Sequence, residues 1–184
     1  MRIDRNITEM NFTRGGEGRS IGYIVIHYTG NDGDTARSNT EFFKRIYRGA
    51  SAHYFIDESS VWQCVEDGNI AWHCGTSGVY VHNRCRNSNS IGIELCSRRD
   101  SEGRYYFARG TVENAAELIK ALMEKYKIPA RNILRHYDIT GKICPEPYVR
   151  DKAAWQGFVE ALKGREDETE NKARGLGSEG KEGE

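Results

Sequence analysis

The hexapeptide Tyr23–Tyr28 (YIVIHY) constrains the fold more than any other stretch of the chain. Apart from one histidine it is apolar at odd and even positions alike. A strand with that pattern has no face to give to water, so it belongs in the middle of a sheet covered on both sides. Ala52–Asp57 (AHYFID) and Ser90–Cys96 (SIGIELC) are also rich in Ile, Tyr, Phe or Leu and read as further strands.

Helical spacing fills the intervals. Ser38 with Glu41 three residues on has the form of a capping box, followed by Phe42, Phe43, Ile46 and Tyr47 up to Gly49. After Thr111 as N-cap, Val112, Ala115, Ala116, Ile119, Leu122, Met123 and Tyr126 share one face as far as Pro129. From Asp151, the apolar positions Ala154, Trp155, Phe158, Val159 and Leu162 run to a stop at Gly164. These stripes read as core. Interleaved helices and strands predict an α/β fold: a single domain with a central mixed β-sheet flanked by helices, with any site in a cleft at the sheet edge. Trp72 to Asn89 is polar, weakly periodic and long for a connection, which marks a functional loop.

The domain is expected to occupy residues 1–164. Residues 165–184 hold seven acidic and four basic side chains, four glycines and one large aliphatic, Leu176. Such a segment cannot bury enough apolar surface to offset its ordering entropy, so it reads as a disordered charged tail or linker. Twenty-seven basic residues balance 27 acidic ones, which gives no global field for nucleic acid. No apolar run approaches the roughly 20 residues needed to span a bilayer, so no membrane partner is expected. Met1 to Asn11 lacks the apolar core of a secretory signal, and the expectation is synthesis in the cytoplasm. Five cysteines without a CxxC pair point to reduced thiols, most of them buried as small hydrophobes.

Two segments carry candidate chemistry. His27 comes near the end of the central strand, and His136 is followed eight residues later by Cys144, with two prolines close behind it, Pro145 and Pro147. Imidazole nitrogen and thiolate sulfur are preferred zinc ligands. Two from one loop and one from a distant strand leave a fourth position open, as a catalytic zinc requires. Lys142, two residues before Cys144, would face the same side of an extended segment and could stabilise an oxyanion. In SIGIELC, alternation puts Ser90, Gly92, Glu94 and Cys96 on one small, polar face. A carboxylate there could take a proton from water and pass it to a leaving amine.

The motifs IVIHYT, SAHYFID, AWHCG, SIGIEL and RHYDITGKICP occur in the order seen in type-2 N-acetylmuramoyl-L-alanine amidases, and Ile21 to Leu162 resembles that family. It includes amidase-type phage lysozymes, cytosolic muropeptide amidases and peptidoglycan-recognition proteins. The resemblance implies His27, His136 and Cys144 as Zn2+ ligands and Lys142 as the oxyanion-stabilising cation. It implies bacterial peptidoglycan as partner, cut at the amide between N-acetylmuramic acid and L-alanine. It also implies a substrate-binding place for His73 in AWHCG, with His53 a groove wall or a structural residue. Where the phage branch carries a tyrosine before the second-strand histidine, this chain has Ala52. The acid/base role then falls on Glu94, as in the cytosolic branch, whose third ligand is an aspartate rather than a cysteine. The reading that follows is an endolysin acting on the wall after holin-type release. The alternatives are a cytosolic recycling amidase, a non-catalytic peptidoglycan-binding module, and a closed structural zinc site with His53 as fourth ligand.

Overall fold

A computed structural model describes residues 1–75 and 78–163. In chain order the strands are β1 (Asp4–Arg5), β2 (Phe12–Thr13), β3 (Tyr23–Tyr28), β4 (Tyr54–Ile56) and β5 (Val61–Gln63). They continue with β6 (Ile70–Ala71), β7 (Ser90–Leu95), β8 (Arg98–Arg99), β9 (Tyr105–Tyr106) and β10 (Ile133–Arg135). The helices are α1 (Ala36–Arg45), α2 (Arg109–Tyr126), α3 (His136–Thr140), α4 (Glu146–Arg150) and α5 (Lys152–Leu162). Six strands form one sheet in the order β1-β5-β4-β7-β3-β10, and β2-β6 and β8-β9 are small ribbons.

The sheet is mixed. β4, β7, β3 and β10 run parallel, whereas β5 returns antiparallel beside β4. The expected central strand is interior, between β7 and the edge strand β10, with its predicted bounds, and residues Ile24, Val25 and Ile26 are fully buried. One face of the sheet, with Ile24, Ile26, Ile91, Ile93 and Leu95, packs on α2 and α5 through Leu118, Ile119, Leu122, Phe158 and Leu162. At roughly 1.5–3 kcal/mol for each large aliphatic or aromatic side chain removed from water, this is the main stabilising layer. The other face is covered in two parts. α1 packs beside Phe55 through Ala36 and Phe43, while Val25 packs with Cys74, Cys85 and Ile139. Between those two clusters the sheet is left open at the carboxyl ends of its parallel strands.

Several local expectations change. The first helix is capped by Thr35, whose side chain accepts from the Ser38 amide, and the capping box is Thr35 with Ser38 rather than Ser38 with Glu41. It ends at Arg45, and only Phe43 of its proposed stripe packs inward. Phe42, Ile46 and Tyr47 are exposed at 49%, 54% and 66%. Their spacing is helical, but Phe42 lies on the solvent face of α1, and Ile46 and Tyr47 fall beyond its end. Helix α2 starts three residues early and stops when Lys127 turns left-handed, ahead of Pro129. Its seven predicted face residues all join the main core. Asp151 caps α5 as expected, through its side chain and the Ala154 amide. The second strand is trimmed to Tyr54–Ile56, and β1, β5 and β10 are too short to show a period.

The interval from Trp72 to Asn89 is irregular where described, closing in a 3-10 turn at Asn87–Asn89. All five cysteines are free and buried. The Gly164 stop and the tail from 165 to 184 lie outside the described residues.

Candidate metal centre

Parallel strands deliver the site. β3 pairs with β7 so that His27 stands directly beside Glu94, and β10 pairs with β3 and ends one residue before His136. The two histidines and the carboxylate therefore emerge together at the carboxyl ends of neighbouring strands, where open α/β sheets place their ligands. The cleft is at this carboxyl edge, over β7, β3 and the outer strand β10, toward one edge of the sheet as expected.

His136 opens α3, and its place is fixed by the residues around it. Asp138 accepts from the Arg135 amide at 2.8 Å and pairs with the Arg135 guanidinium at 2.7 Å, which also reaches the Tyr148 carbonyl at 2.9 Å. Gly141, in the left-handed conformation with φ 77°, ends the helix and turns the chain back. The amide of Tyr137 then donates to the Cys144 carbonyl at 2.8 Å, which pins the returning segment beside His136. Lys142 and Cys144 do not lie on an extended segment: the Cys144 amide donates to the Lys142 carbonyl at 2.7 Å, a tight turn. Both residues nevertheless line the same cavity.

One ligand atom each from His27, His136 and Cys144 fall within 4.8 Å of one another, and all three residues are buried. His27 turns Nδ1 to the cluster, 3.7 Å from the Cys144 sulfur. Both ring nitrogens of His136 are buried without a hydrogen-bond partner. Burying polar nitrogens unpaired costs about 1–3 kcal/mol each, which a bound cation would offset. Two imidazoles and a thiol fit zinc, and three protein donors leave one tetrahedral position free.

The titrations suit that purpose. Burial, then His73, His136 and Lys142, hold His27 well below its ordinary pKa, and burial with Lys142 puts His136 at about 4. Both are thus neutral, the form that donates a lone pair. Burial and Glu94 push the Cys144 thiol up to about 12, with the Tyr28 backbone and Lys142 opposing. A divalent cation would reverse that shift, because a coordinating thiol is deprotonated.

Glu94 and Lys142 face the same cavity of about 320 Å3 as the three donors, together with Thr29, Phe43 and Trp72. Burial raises Glu94 to about 8, with Lys142 opposing and Asp34 reinforcing, and its Oε2 has no partner. Lys142 is exposed and enters no ion pair among the described residues. A second chamber of about 530 Å3 shares Glu94 and Lys142 and runs along α1 past Asp34, Asn39 and Phe42.

Of the other two histidines singled out in the sequence, His53 takes the structural place and His73 lines the cavity. His53 is fully buried and absent from the cavity lining, and its ring bridges backbone groups. Nδ1 accepts from the Gly92 amide at 3.0 Å, and Nε2 lies 3.2 Å from the Asn69 carbonyl. With both nitrogens occupied it is a structural residue, neither groove wall nor fourth ligand. His73 touches the cavity but is only 7% exposed, and its ring packs against Gly92. Its partners are His27, Cys74 and Ser90. Ser90 and Gly92, the small residues beside Glu94, thus make room for and hold His73; the pattern SIGIE carried that signal as unexplained smallness.

Comparison with known proteins agrees with this geometry. Residues 17–147 match the model of the family Amidase_2, described as N-acetylmuramoyl-L-alanine amidase. The N-acetylmuramoyl-L-alanine amidase CwlL of Bacillus licheniformis is 31% identical over 182 residues, which cover 89% of this chain and 48% of that protein. The solved catalytic domain of XlyA, a Bacillus subtilis amidase, superposes with a TM-score of 0.72 at 26% identity, covering 89% of this chain and all of that domain. A structure titled as a mutant endolysin from Bacillus subtilis gives 0.69 at 26% identity, over 88% of this chain and 99% of the other. The chain spans about half the length of the curated relatives it matches.

Proposed function

We propose, from the premise that this chain belongs to the N-acetylmuramoyl-L-alanine amidase family, that it hydrolyses the amide between N-acetylmuramic acid and L-alanine in bacterial peptidoglycan. His27, His136 and Cys144 hold one zinc ion. The observation that carries the reading is their convergence within 4.8 Å, in a cavity that also holds a carboxylate and a cation. Zinc bound there supplies a Lewis acid that polarises the scissile carbonyl and lowers the pKa of water.

The chain's own groups do the rest. Glu94, whose pKa burial raises and a bound cation would lower again, accepts as carboxylate the proton of the attacking water and returns it to the departing L-alanine nitrogen. Lys142, which enters no ion pair among the described residues, steadies the negative charge that grows on the carbonyl oxygen. Trp72 and Phe43 give the cavity an apolar wall against which the substrate can exclude water.

The activity is that of a wall-lysing enzyme of the endolysin type, reaching its polymer after release from the cytoplasm. Similarity to a Bacillus endolysin supports this, and no helix among the described residues is long and apolar enough to cross a membrane. Mass analysis of digested, purified peptidoglycan tests the bond. New L-alanine amino termini on released stem peptides, with glycan strands intact, are expected. New reducing sugar ends, or cleavage inside the peptide, would assign a different reaction.

A further inference from the structure

His73 is a buried imidazole to which the reaction assigns nothing, and its surroundings define its protonation. The Ser90 hydroxyl has a single proton and donates it to the Arg86 carbonyl at 2.7 Å. Toward His73 Nε2, 3.2 Å away, Ser90 Oγ is therefore the acceptor, and Nε2 carries the proton. A neutral imidazole has only one, so His73 Nδ1 is bare. It faces His27 Nε2 at 3.1 Å and can only accept from it. His27 then keeps its own lone pair on Nδ1, the nitrogen turned to Cys144. Each link dictates the next, from a backbone carbonyl to a metal-facing nitrogen.

The ring that makes this connection is held from several sides. Asn87 Oδ1 accepts from the backbone amides of both His73 and Cys74, at 3.0 and 2.6 Å. A Cβ on Gly92 would lie 2.5 Å from the His73 ring, so that strand position admits no side chain while the ring is in place. The Cys74 sulfur is also 3.2 Å from His73 Nδ1, but the Cys74 thiol has Cys85 as a second partner. Were the proton of His73 on Nδ1 instead, His27 Nε2 would face a donor. His27 would then carry its proton on Nδ1 and lose its ligand lone pair.

We propose that His73 is a positioning residue for the metal, which together with Ser90 locks His27 in the Nε2–H tautomer and aims Nδ1 at the ion. Carbonyl- or carboxylate-anchored partners of this kind typically change metal affinity 10- to 100-fold. The proposal rests on the zinc reading above and extends it to a residue outside the donor set.

The test uses the full chain and zinc alone, with affinity read by competition against a chromophoric chelator. His73→Leu removes the acceptor and is expected to weaken zinc binding about 10- to 100-fold. His73→Asn puts an amide oxygen near the position of Nδ1 and should recover most of that loss, which mere filling of space would not. Ring 15N shifts of metal-free wild-type protein should show both His73 and His27 protonated on Nε2. That measurement decides the matter even if a variant fails to fold. A folded His73→Leu protein with wild-type affinity, or His27 protonated on Nδ1, overturns the proposal while leaving the zinc site standing. Wild-type protein that binds no zinc overturns both.

Discussion

Two carboxylates on one scaffold, Asp67 buried and Glu94 half-buried, are treated in opposite ways. Asp67 accepts from Tyr54 at 2.6 Å, Gln63 at 3.1 Å, Tyr126 at 2.7 Å and Lys125 at 2.9 Å, so both oxygens are saturated. Burial alone would raise its pKa, but the Tyr54, Tyr126 and Lys125 hydrogen bonds prevail and lower it. Glu94 has one oxygen with no partner at all, and burial carries its pKa up to about 8. Native proteins satisfy buried polar groups almost everywhere, and the exceptions are held by something other than stability. Of five such atoms among the described residues, three share one cavity, Glu94 Oε2 and both nitrogens of His136, while Asp34 Oδ1 and Thr111 Oγ1 lie outside it. Asp67 ties β4 to α2 and has finished its work on folding. Glu94 is kept available.

The largest effect expected from this contrast is at the donor set. Cys144→Ser replaces a thiolate by a far poorer ligand, and zinc affinity should fall by more than the hundred-fold typical of an outer-sphere change. Wall hydrolysis should vanish with it, and normal zinc content in that variant would remove Cys144 from the site. Next comes Glu94→Gln. If the orphaned oxygen is a proton acceptor, turnover should drop by roughly 10² to 10⁴. Zinc content and KM should change little, because the lost interaction belongs to the transition state. Loss of zinc along with turnover would make Glu94 a ligand.

The contrast also separates what the residues alone disclosed from what they did not. The hydrophobic pattern of Tyr23–Tyr28 placed the central strand, and α2 was legible because seven apolar residues, Val112 to Tyr126, keep one face over about four turns. Donor chemistry in that strand and in His136–Cys144 picked out the three groups that converge. Strands of two or three residues, such as β5 and β10, contain no full period to read. α1 has helical spacing on a face that meets solvent, which periodicity cannot distinguish from core. His73 and His53 are both histidines beside apolar residues. Only the register of β7, with Gly92 donating to one and yielding space to the other, shows that His53 stands behind the cavity while His73 lines it.

A smaller effect should appear at the other carboxylate. Asp67→Asn keeps the shape but loses the charge that Tyr54, Tyr126 and Lys125 address. A cost of about 1–3 kcal/mol is expected, read as a lower denaturation midpoint at unchanged m-value. Zinc affinity and turnover should be untouched, since Asp67 lines neither chamber at the site. An Asp67→Asn enzyme with impaired turnover at full stability would break the division between the two carboxylates.

The smallest effects are in the pH dependence of stability, where the two groups have opposite signs. Asp67 has a folded pKa below its unfolded value. Its contribution is complete above the unfolded pKa of about 3.9 and is lost as pH falls through the depressed folded value. Glu94 in chelator-treated protein has a folded pKa of about 8 against an ordinary 4.5. The folded state therefore holds a proton that the unfolded state has released, so stability declines as pH rises from about 4.5 toward 8. Asp67→Asn should flatten the acid limb and leave the alkaline limb alone. Glu94→Gln should do the reverse, matching wild type below about pH 4 and exceeding it at pH 8, because an amide has no charge to bury. Restoring zinc should shrink the Glu94 effect, since a nearby cation stabilises the carboxylate. Denaturant melts of the metal-free proteins from pH 3 to 9 measure both limbs. A Glu94→Gln curve that runs parallel to wild type across that range would mean that Glu94 is solvated or paired, and its place as the poised base would be lost.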